Sequence, residues 1–173
     1  MLLCCLLTGV GSLSASAQQS AQGQVGSCRR FVQEFYDWYV PITQKETGGP
    51  ASDTALQVKR DAFSPQLFRA LKTDSEAQAR AKGEIVGLDF DPFVNSQDPA
   101  DHYEARRLVV KANRCSVEVW RASPSDTAEK STKPAVVAKL AMSKRHWVFV
   151  NFQYPETDLL TLLRRQDEDR RRP

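Results

Sequence analysis

The sequence predicts a single α+β domain in which N-terminal helices pack on a strongly bent antiparallel sheet of about four strands, followed by a C-terminal helix. Apolar residues recur at helical spacing in the first part of the chain, and the period changes to two, as in strands, from Tyr103 onward. The chain has 173 residues, of which 41% are hydrophobic and 26% charged, as in one globular domain. Disordered, collagen-like and multispan membrane proteins are excluded by this composition.

Residues 1–17 have the pattern of a signal peptide. The segment carries no charge, is mostly apolar up to Leu13, and ends with Ala15 and Ala17 in the A-x-A arrangement that signal peptidases accept. Its apolar core is shorter than the roughly 20 residues that a membrane-spanning helix needs. We therefore expect cleavage after Ala17, a flexible leader over residues 18–27, and export to the periplasm or extracellular space without a membrane span. A retained membrane anchor is the alternative.

Two helices precede the first convincing strand. The first is predicted over residues 28–40, with Ser27 as its N-cap and Pro41 at its end. Ser64 and Pro65 then supply the N-cap and the first helical position of a second helix with an apolar stripe. Both helices are expected to pack against the sheet that follows.

Four segments with strand periodicity predict an antiparallel meander, interrupted by one long exposed loop over residues 122–134. The segments are residues 103–111, 115–121, 135–142 and 147–154. The last segment is apolar on both faces, which is typical of a central strand whose second face is covered by another layer, a partner or a ligand. Asp158 can cap a closing helix, so that the domain covers residues 28–163 and residues 164–173 form a charged, fraying tail.

Three motifs along the chain resemble a known family. They are FVQEFYDWYV on the first helix, FSPQLFRAL at the second, and GLDFDPFVNSQDP together with the final strand WVFVNFQY. Over roughly residues 28–163 the chain resembles the exported bacterial domain of unknown function numbered 3828. The resemblance implies a cone-like fold similar to nuclear transport factor 2. It implies no activity, because that fold hosts enzymes, ligand carriers and protein-binding modules alike.

Cys28 and Cys115 are the two cysteines of the predicted mature chain. Export to an oxidising compartment makes a disulfide between them chemically allowed. A bond across their separation of 87 residues would stabilise the domain by about 4–5 kcal/mol in the chain-entropy account. Two separate buried thiols are the alternative, since the sequence does not show that the two residues meet.

Several kinds of chemistry lack a sequence signature. Four acids lie close together and are candidates for acid–base work or a polar cluster at a cavity mouth, although turn formation is the ordinary role of such residues. They are Asp89, Asp91, Asp98 and Asp101. The two histidines, His102 and His146, lack zinc spacing, and no nucleophile elbow or phosphate-binding loop is present. We therefore predict no catalytic set, metal or cofactor, and a net charge of +3 is too small to indicate nucleic-acid binding.

Aromatic side chains supply the candidate binding surface. On the first helix they cover more of the circumference than one core face needs, so part of this area is expected to line a cavity or a partner surface. The most specific motif, around Asp91 and Phe93, and the apolar final strand add further candidates. The candidate binding residues are Tyr36, Trp38, Tyr39, Asp91, Phe93, Gln97, Asp98 and Trp147.

The leading interpretation is a non-enzymatic protein of the cell envelope that binds a small apolar ligand or another envelope protein. We favour it because the first helix carries more aromatic surface than one core face needs and because the sequence shows no catalytic set. Two alternatives stay open. One is a small hydrolase or isomerase/lyase with an acidic loop at a cavity mouth, and the other is a secreted inhibitor or immunity protein.

Overall fold

The α+β class predicted from the sequence is confirmed. A computed structural model of the chain describes residues 13–45, 49–81, 86–122 and 132–172, so that most of the predicted signal peptide and of the long hairpin loop lies outside the described residues. In chain order the elements are α1 (Leu13–Thr43), α2 (Ala51–Val58), a 3₁₀ turn (Arg60–Ala62), α3 (Pro65–Arg80), β1 (Tyr103–Lys111), β2 (Arg114–Arg121), β3 (Val136–Ser143), β4 (His146–Gln153) and α4 (Leu159–Arg170). Within these residues, no helix combines the length and the apolarity that crossing a bilayer requires.

The four strands form one antiparallel sheet in the order β1-β2-β3-β4. Register irregularities between Ala105 and Leu108 and between Lys139 and Leu140 bend the strands, because an extra residue on one strand increases local twist. The sheet is therefore curled. Its hairpins turn at residues 112–113 and 144–145, where Ala112, Lys144 and Arg145 adopt positive φ.

Strand β4 lies at an edge of the sheet, which corrects the expectation of a central strand. The two residues between the 3₁₀ turn and α3 cover that edge. Phe63 forms a β-bridge with Phe149, and the backbone N–H of Ser64 donates to the Phe149 carbonyl at 2.8 Å. The register irregularity in β4 leaves Val150 without a paired residue, so that Phe149 and Phe152 both face the core although they are three residues apart. The sequence pattern thus predicted correctly that β4 is covered by other parts of the protein. The prediction that β4 is a central strand was wrong.

Helix α1 is longer than predicted at both ends. It begins at Leu13 instead of after Ser27, so the segment 18–27 has a helical backbone and the N-cap assigned to Ser27 is wrong. The added turns consist mainly of Ala, Ser and Gln, which can extend a helix that is already nucleated. The helix also continues through Pro41, although the proline lacks the N–H that would bond the carbonyl four residues earlier, and it ends two residues later at Thr43.

The core is a cluster of aromatic rings between α1, the turn at residues 91–94 and the sheet. The Phe35 ring lies at its centre, with its centroid 4.8 Å from that of Phe149, 5.5 Å from that of Phe93 and 5.9 Å from that of Phe63. Phe93 and Phe149 are fully buried. These contacts attach both the turn and the sheet to α1.

A disulfide joins Cys28 on α1 to Cys115 on β2, across a sequence separation of 87 residues. Both residues are buried. Of the two alternatives left open by the sequence, the structure contains the bonded pair. The bond fixes α1 covalently on the sheet.

The closing helix departs from the sequence prediction at its C-terminal end. Asp158 caps α4 as predicted, and its side chain accepts from the Thr161 backbone N–H at 3.1 Å. The helix then continues to Arg170, so the expectation of a fraying tail is wrong for residues 164–170. The reason is a distant contact: Arg170 donates to the buried Asp74 carboxylate at 2.8 Å.

Candidate functional site

A cavity of about 550 Å³ lies between α2, α3 and the irregular segment 86–99. We call it the α2–α3 cavity. Helix α3 contributes one stripe of residues at spacings of three and four, from Leu71 to Gln78, which is why they share the wall. Apolar lining comes from Leu56, Leu71, Leu88, Phe90 and Pro92, and the acidic and amide side chains are Asp53, Asp74, Gln78, Asp89, Asp91 and Gln97.

Asp74 holds one end of segment 86–99 against α3. Its carboxylate accepts from the Leu88 backbone N–H at 3.2 Å and from the Gln78 amide at 2.9 Å, and Gln78 also donates to the Leu88 carbonyl at 3.3 Å. Gly87 has a φ of +99°, and a Cβ on it would lie 2.8 Å from both Asp74 carboxylate oxygens. The close approach of this backbone therefore requires glycine.

The same carboxylate forms a buried ion pair with Arg170 of α4. Asp74 is a buried charged residue, and only 21% of the Arg170 side chain is exposed. With Arg170, Gln78 and the Leu88 backbone as partners, the Asp74 carboxylate is fully engaged. Its position in the cavity wall is therefore mainly structural.

Asp91 holds the other end of the segment. One carboxylate oxygen accepts from the Tyr39 hydroxyl at 2.5 Å, and the other accepts from the Phe93 backbone N–H at 2.9 Å. Asp91 is half-buried, and both of its carboxylate oxygens have hydrogen-bond partners. Burial raises the pKa of Asp91, although the hydrogen bonds from Tyr39 and from the backbone N–H groups of Phe93 and Val94 oppose the shift.

Two further tyrosines fix the turn that follows Asp91. The Tyr36 hydroxyl donates to the Phe93 carbonyl at 2.6 Å, and the Tyr154 hydroxyl donates to the Pro92 carbonyl at 2.8 Å. Burial raises the pKa of both tyrosines, so they are neutral hydrogen-bond donors. The turn is thus tied to α1 and to the end of β4, so that internal hydrogen bonds hold this part of the cavity wall.

Two of the eight residues predicted from the sequence line the α2–α3 cavity. Asp91 lies in its wall, and Gln97 lies at its exposed side, where its amide donates to Asp89 at 3.3 Å. Asp98 is exposed, and its backbone carbonyl accepts from Arg121 at 2.9 Å. The carboxylate cluster proposed over residues 89–101 is therefore only partly assembled, by Asp89 and Asp91.

The predicted aromatic residues belong to the core instead. Tyr36, Tyr39 and Phe93 are fully buried, and they reach the site through hydrogen bonds and packing. Trp147 is also buried, and its indole N–H donates to the Ser27 hydroxyl at 3.0 Å. Trp38 is half-buried beneath the Lys59 ammonium, 5.1 Å from the ring centroid. The expectation that these aromatics line a cavity is therefore corrected, because α1 is wrapped on several sides.

Sequence reasoning missed the contribution of α3 to the site. Asp74 and Gln78 are polar residues on the helix face that carries Leu67 and Leu71, at spacings of three and four. Polar groups on an apolar stripe need buried hydrogen-bond partners. This pattern could have indicated from the sequence that α3 contacts polar groups of another segment. Asp53 of α2 had no comparable signal, since it follows a loop and lies in a short helix.

Metal-ligating groups do not gather in the part of the chain that the structure describes: no three His, Cys, Asp or Glu side chains there are placed to hold a metal ion. His102 and His146 are both exposed.

The raised pKa of Asp91 leads to a pH-dependent prediction. The folded state holds the Asp91 proton more tightly than the unfolded chain, whose Asp pKa is about 3.9. The resulting stabilisation of the folded state is fully present below the pKa of the unfolded chain and is lost as pH rises through the pKa of the folded state. We expect the free energy of unfolding of the wild type, relative to Asp91→Asn, to increase as pH falls from about 7 to about 4. Urea unfolding at both pH values measures the difference, and a constant or reversed difference would contradict the assigned shift.

The chain matches no family model, no curated protein and no solved structure. The resemblance to the exported bacterial domain numbered 3828 therefore stays a prediction from its motifs.

Proposed function

We propose that the protein is a non-enzymatic binding protein of the cell envelope, and that it takes a small ligand in the α2–α3 cavity. The observation that carries the proposal is the preformed cavity. Its volume of about 550 Å³ lies within the range of small-molecule sites, roughly 300–1,000 Å³. Contacts of Asp74 and Asp91 with the backbone and with neighbouring side chains hold its walls. A small molecule is the occupant we favour over another envelope protein.

The lining indicates the chemistry of the ligand. Leu56, Leu71 and Phe90 offer apolar surface. The Asp53 carboxylate and the Asp89 oxygen that Gln97 does not contact offer hydrogen-bond acceptors. None of the described lining residues is Lys, Arg or His. A compact apolar body that carries a hydrogen-bond-donating group, such as a protonated amine, complements this surface.

Two features favour an envelope location. A disulfide such as Cys28–Cys115 persists in oxidising compartments and is rare in the cytosol. The apolar segment that ends in Ala15 and Ala17 has the pattern of an export signal.

The test is an NMR titration of the full chain with benzylammonium, which has an aromatic body and one cationic donor. We expect saturable shifts at Leu56, Leu71 and Leu88. Ser75→Phe places a ring at the cavity wall and should weaken binding at least tenfold. Ser143→Phe is the matched control, because Ser143 is exposed at the distant β3–β4 hairpin. Absence of saturable binding, or equal affinity in both variants, would refute the cavity as the site.

A small hydrolase or isomerase/lyase is the second candidate, and the raised pKa of Asp91 in a cavity wall is the observation that favours it. Both Asp91 oxygens already have partners, which favours a structural role over proton transfer. Hydrolysis of p-nitrophenyl acetate by the folded wild type that is lost in Asp91→Asn, with benzylammonium binding retained, would favour the enzyme.

A further inference from the structure

A second cavity, of about 400 Å³, lies on a different face of α3, between α3 and α4. We call it the α3–α4 groove. Helical stripes from both elements line it, and its apolar surface comes from Ala70, Leu160 and Leu163. Leu163 is buried and Leu160 is half-buried, so the groove has a hydrophobic floor at the junction of the two helices.

The charged lining of the groove is predominantly basic. Three arginines, Arg69, Arg164 and Arg170, line it together with a single acid, Asp167. Asp167 is already engaged by Arg171 at 2.8 Å, and Arg170 is engaged by Asp74 at 2.8 Å. The acid therefore does not neutralise the other two arginines.

Arg69 and Arg164 are available to a ligand. Arg69 is exposed, and within the described ranges it has no ion-pair or hydrogen-bond partner. Arg164 lies 3.9 Å from Glu168, and both of these side chains are more than half exposed, so this pair contributes little. Two guanidinium groups therefore lie beside an apolar floor without a strong internal partner.

We propose that the α3–α4 groove binds an amphipathic organic anion, whose carboxylate contacts Arg69 and Arg164 and whose hydrocarbon chain covers Leu160 and Leu163. Guanidinium groups bind carboxylates through strong, charge-assisted hydrogen bonds. The volume of about 400 Å³ lies within the range of small-ligand sites. This site is opposite in charge preference to the α2–α3 cavity and does not depend on the function proposed for that cavity.

Decanoate is the probe, used with the full chain below its micelle-forming concentration in calorimetric and NMR titrations. We expect saturable binding with shifts at Ala70, Leu160 and Leu163. Arg69→Gln/Arg164→Gln should weaken it at least tenfold, because each charge-assisted bond is worth about a tenfold factor or more. Arg80→Gln is the matched control: Arg80 is exposed on the same helix but outside the groove. Its affinity should equal that of the wild type.

Two further probes separate the charge from the apolar contribution. Octanoate should bind up to about fifteenfold more weakly than decanoate, since each buried methylene contributes about a fourfold factor. Decyltrimethylammonium carries the same chain on a cation and should not compete. The proposal is overturned if decanoate does not saturate, if the double variant binds as well as Arg80→Gln, or if the cation competes equally. None of these results bears on benzylammonium binding in the α2–α3 cavity.

Discussion

Replacing both disulfide cysteines, Cys28→Ala/Cys115→Ala, is expected to lower the free energy of unfolding by about 4–5 kcal/mol. The bond closes a loop of 87 residues, and opening it restores the conformational freedom of the unfolded chain. Both cysteines are also buried between α1 and β2, so that the lost packing adds to the effect. Urea unfolding of the oxidised wild type and the double variant measures the difference.

Reduction of the wild type is the control for this experiment. The reduced protein keeps both sulfur atoms in the core and loses only the covalent link, so its loss of stability should be somewhat smaller than that of the double variant. A loss below about 1 kcal/mol in both would contradict the view that the bond constrains the unfolded chain. Such a result would indicate that α1 and β2 stay together when the rest of the chain is unfolded.

Phe93→Ala is expected to lower the free energy of unfolding by about 3–5 kcal/mol. The side chain is fully buried, and its ring centroid lies 5.2 Å from those of Tyr39 and Phe152 and 5.4 Å from that of Phe63. Its removal leaves a void where the segment 86–99 meets the core. Chemical denaturation measures the loss of stability.

Phe68→Ala is the comparison for the Phe93 variant. Phe68 is half-buried on α3 beneath the Arg60 guanidinium, 5.0 Å from the ring centroid, so its truncation should cost no more than about 1–2 kcal/mol. Hydrogen exchange should show faster opening of residues 86–99 in Phe93→Ala only. Equal losses in the two variants would show that the turn is not anchored through Phe93.

Local patterns predicted most of the fold. The cap and first-turn pair Ser64 and Pro65 marked the start of α3, and Asp158 marked the start of α4, because capping depends on residues that are adjacent in sequence. The change to strand period predicted the four strands, since alternation follows from burial of one face. The length of α4 was not predictable in this way. It depends on the contact between Arg170 and Asp74, which are 96 positions apart.

The candidate site was predictable only in part for the same reason. Asp91 and Gln97 lie within one conspicuous motif, and both line the α2–α3 cavity. The opposite wall comes from α3, where Asp74 and Gln78 meet the Leu88 backbone only after the segment has folded back on the helix. Aromatic abundance on α1 was a misleading signal, because a helix covered by both the sheet and a folded-back turn buries more than one face.

A crystal structure of the protein soaked with benzylammonium tests the central claim most directly. We expect the ring to lie against Leu88 and Phe90 in the α2–α3 cavity, with the ammonium group within hydrogen-bonding distance of Asp53 or Asp89. Segment 86–99 should keep the position it has without ligand. A cavity that holds only water under saturating benzylammonium, or a segment that closes over the space, would contradict a preformed binding site.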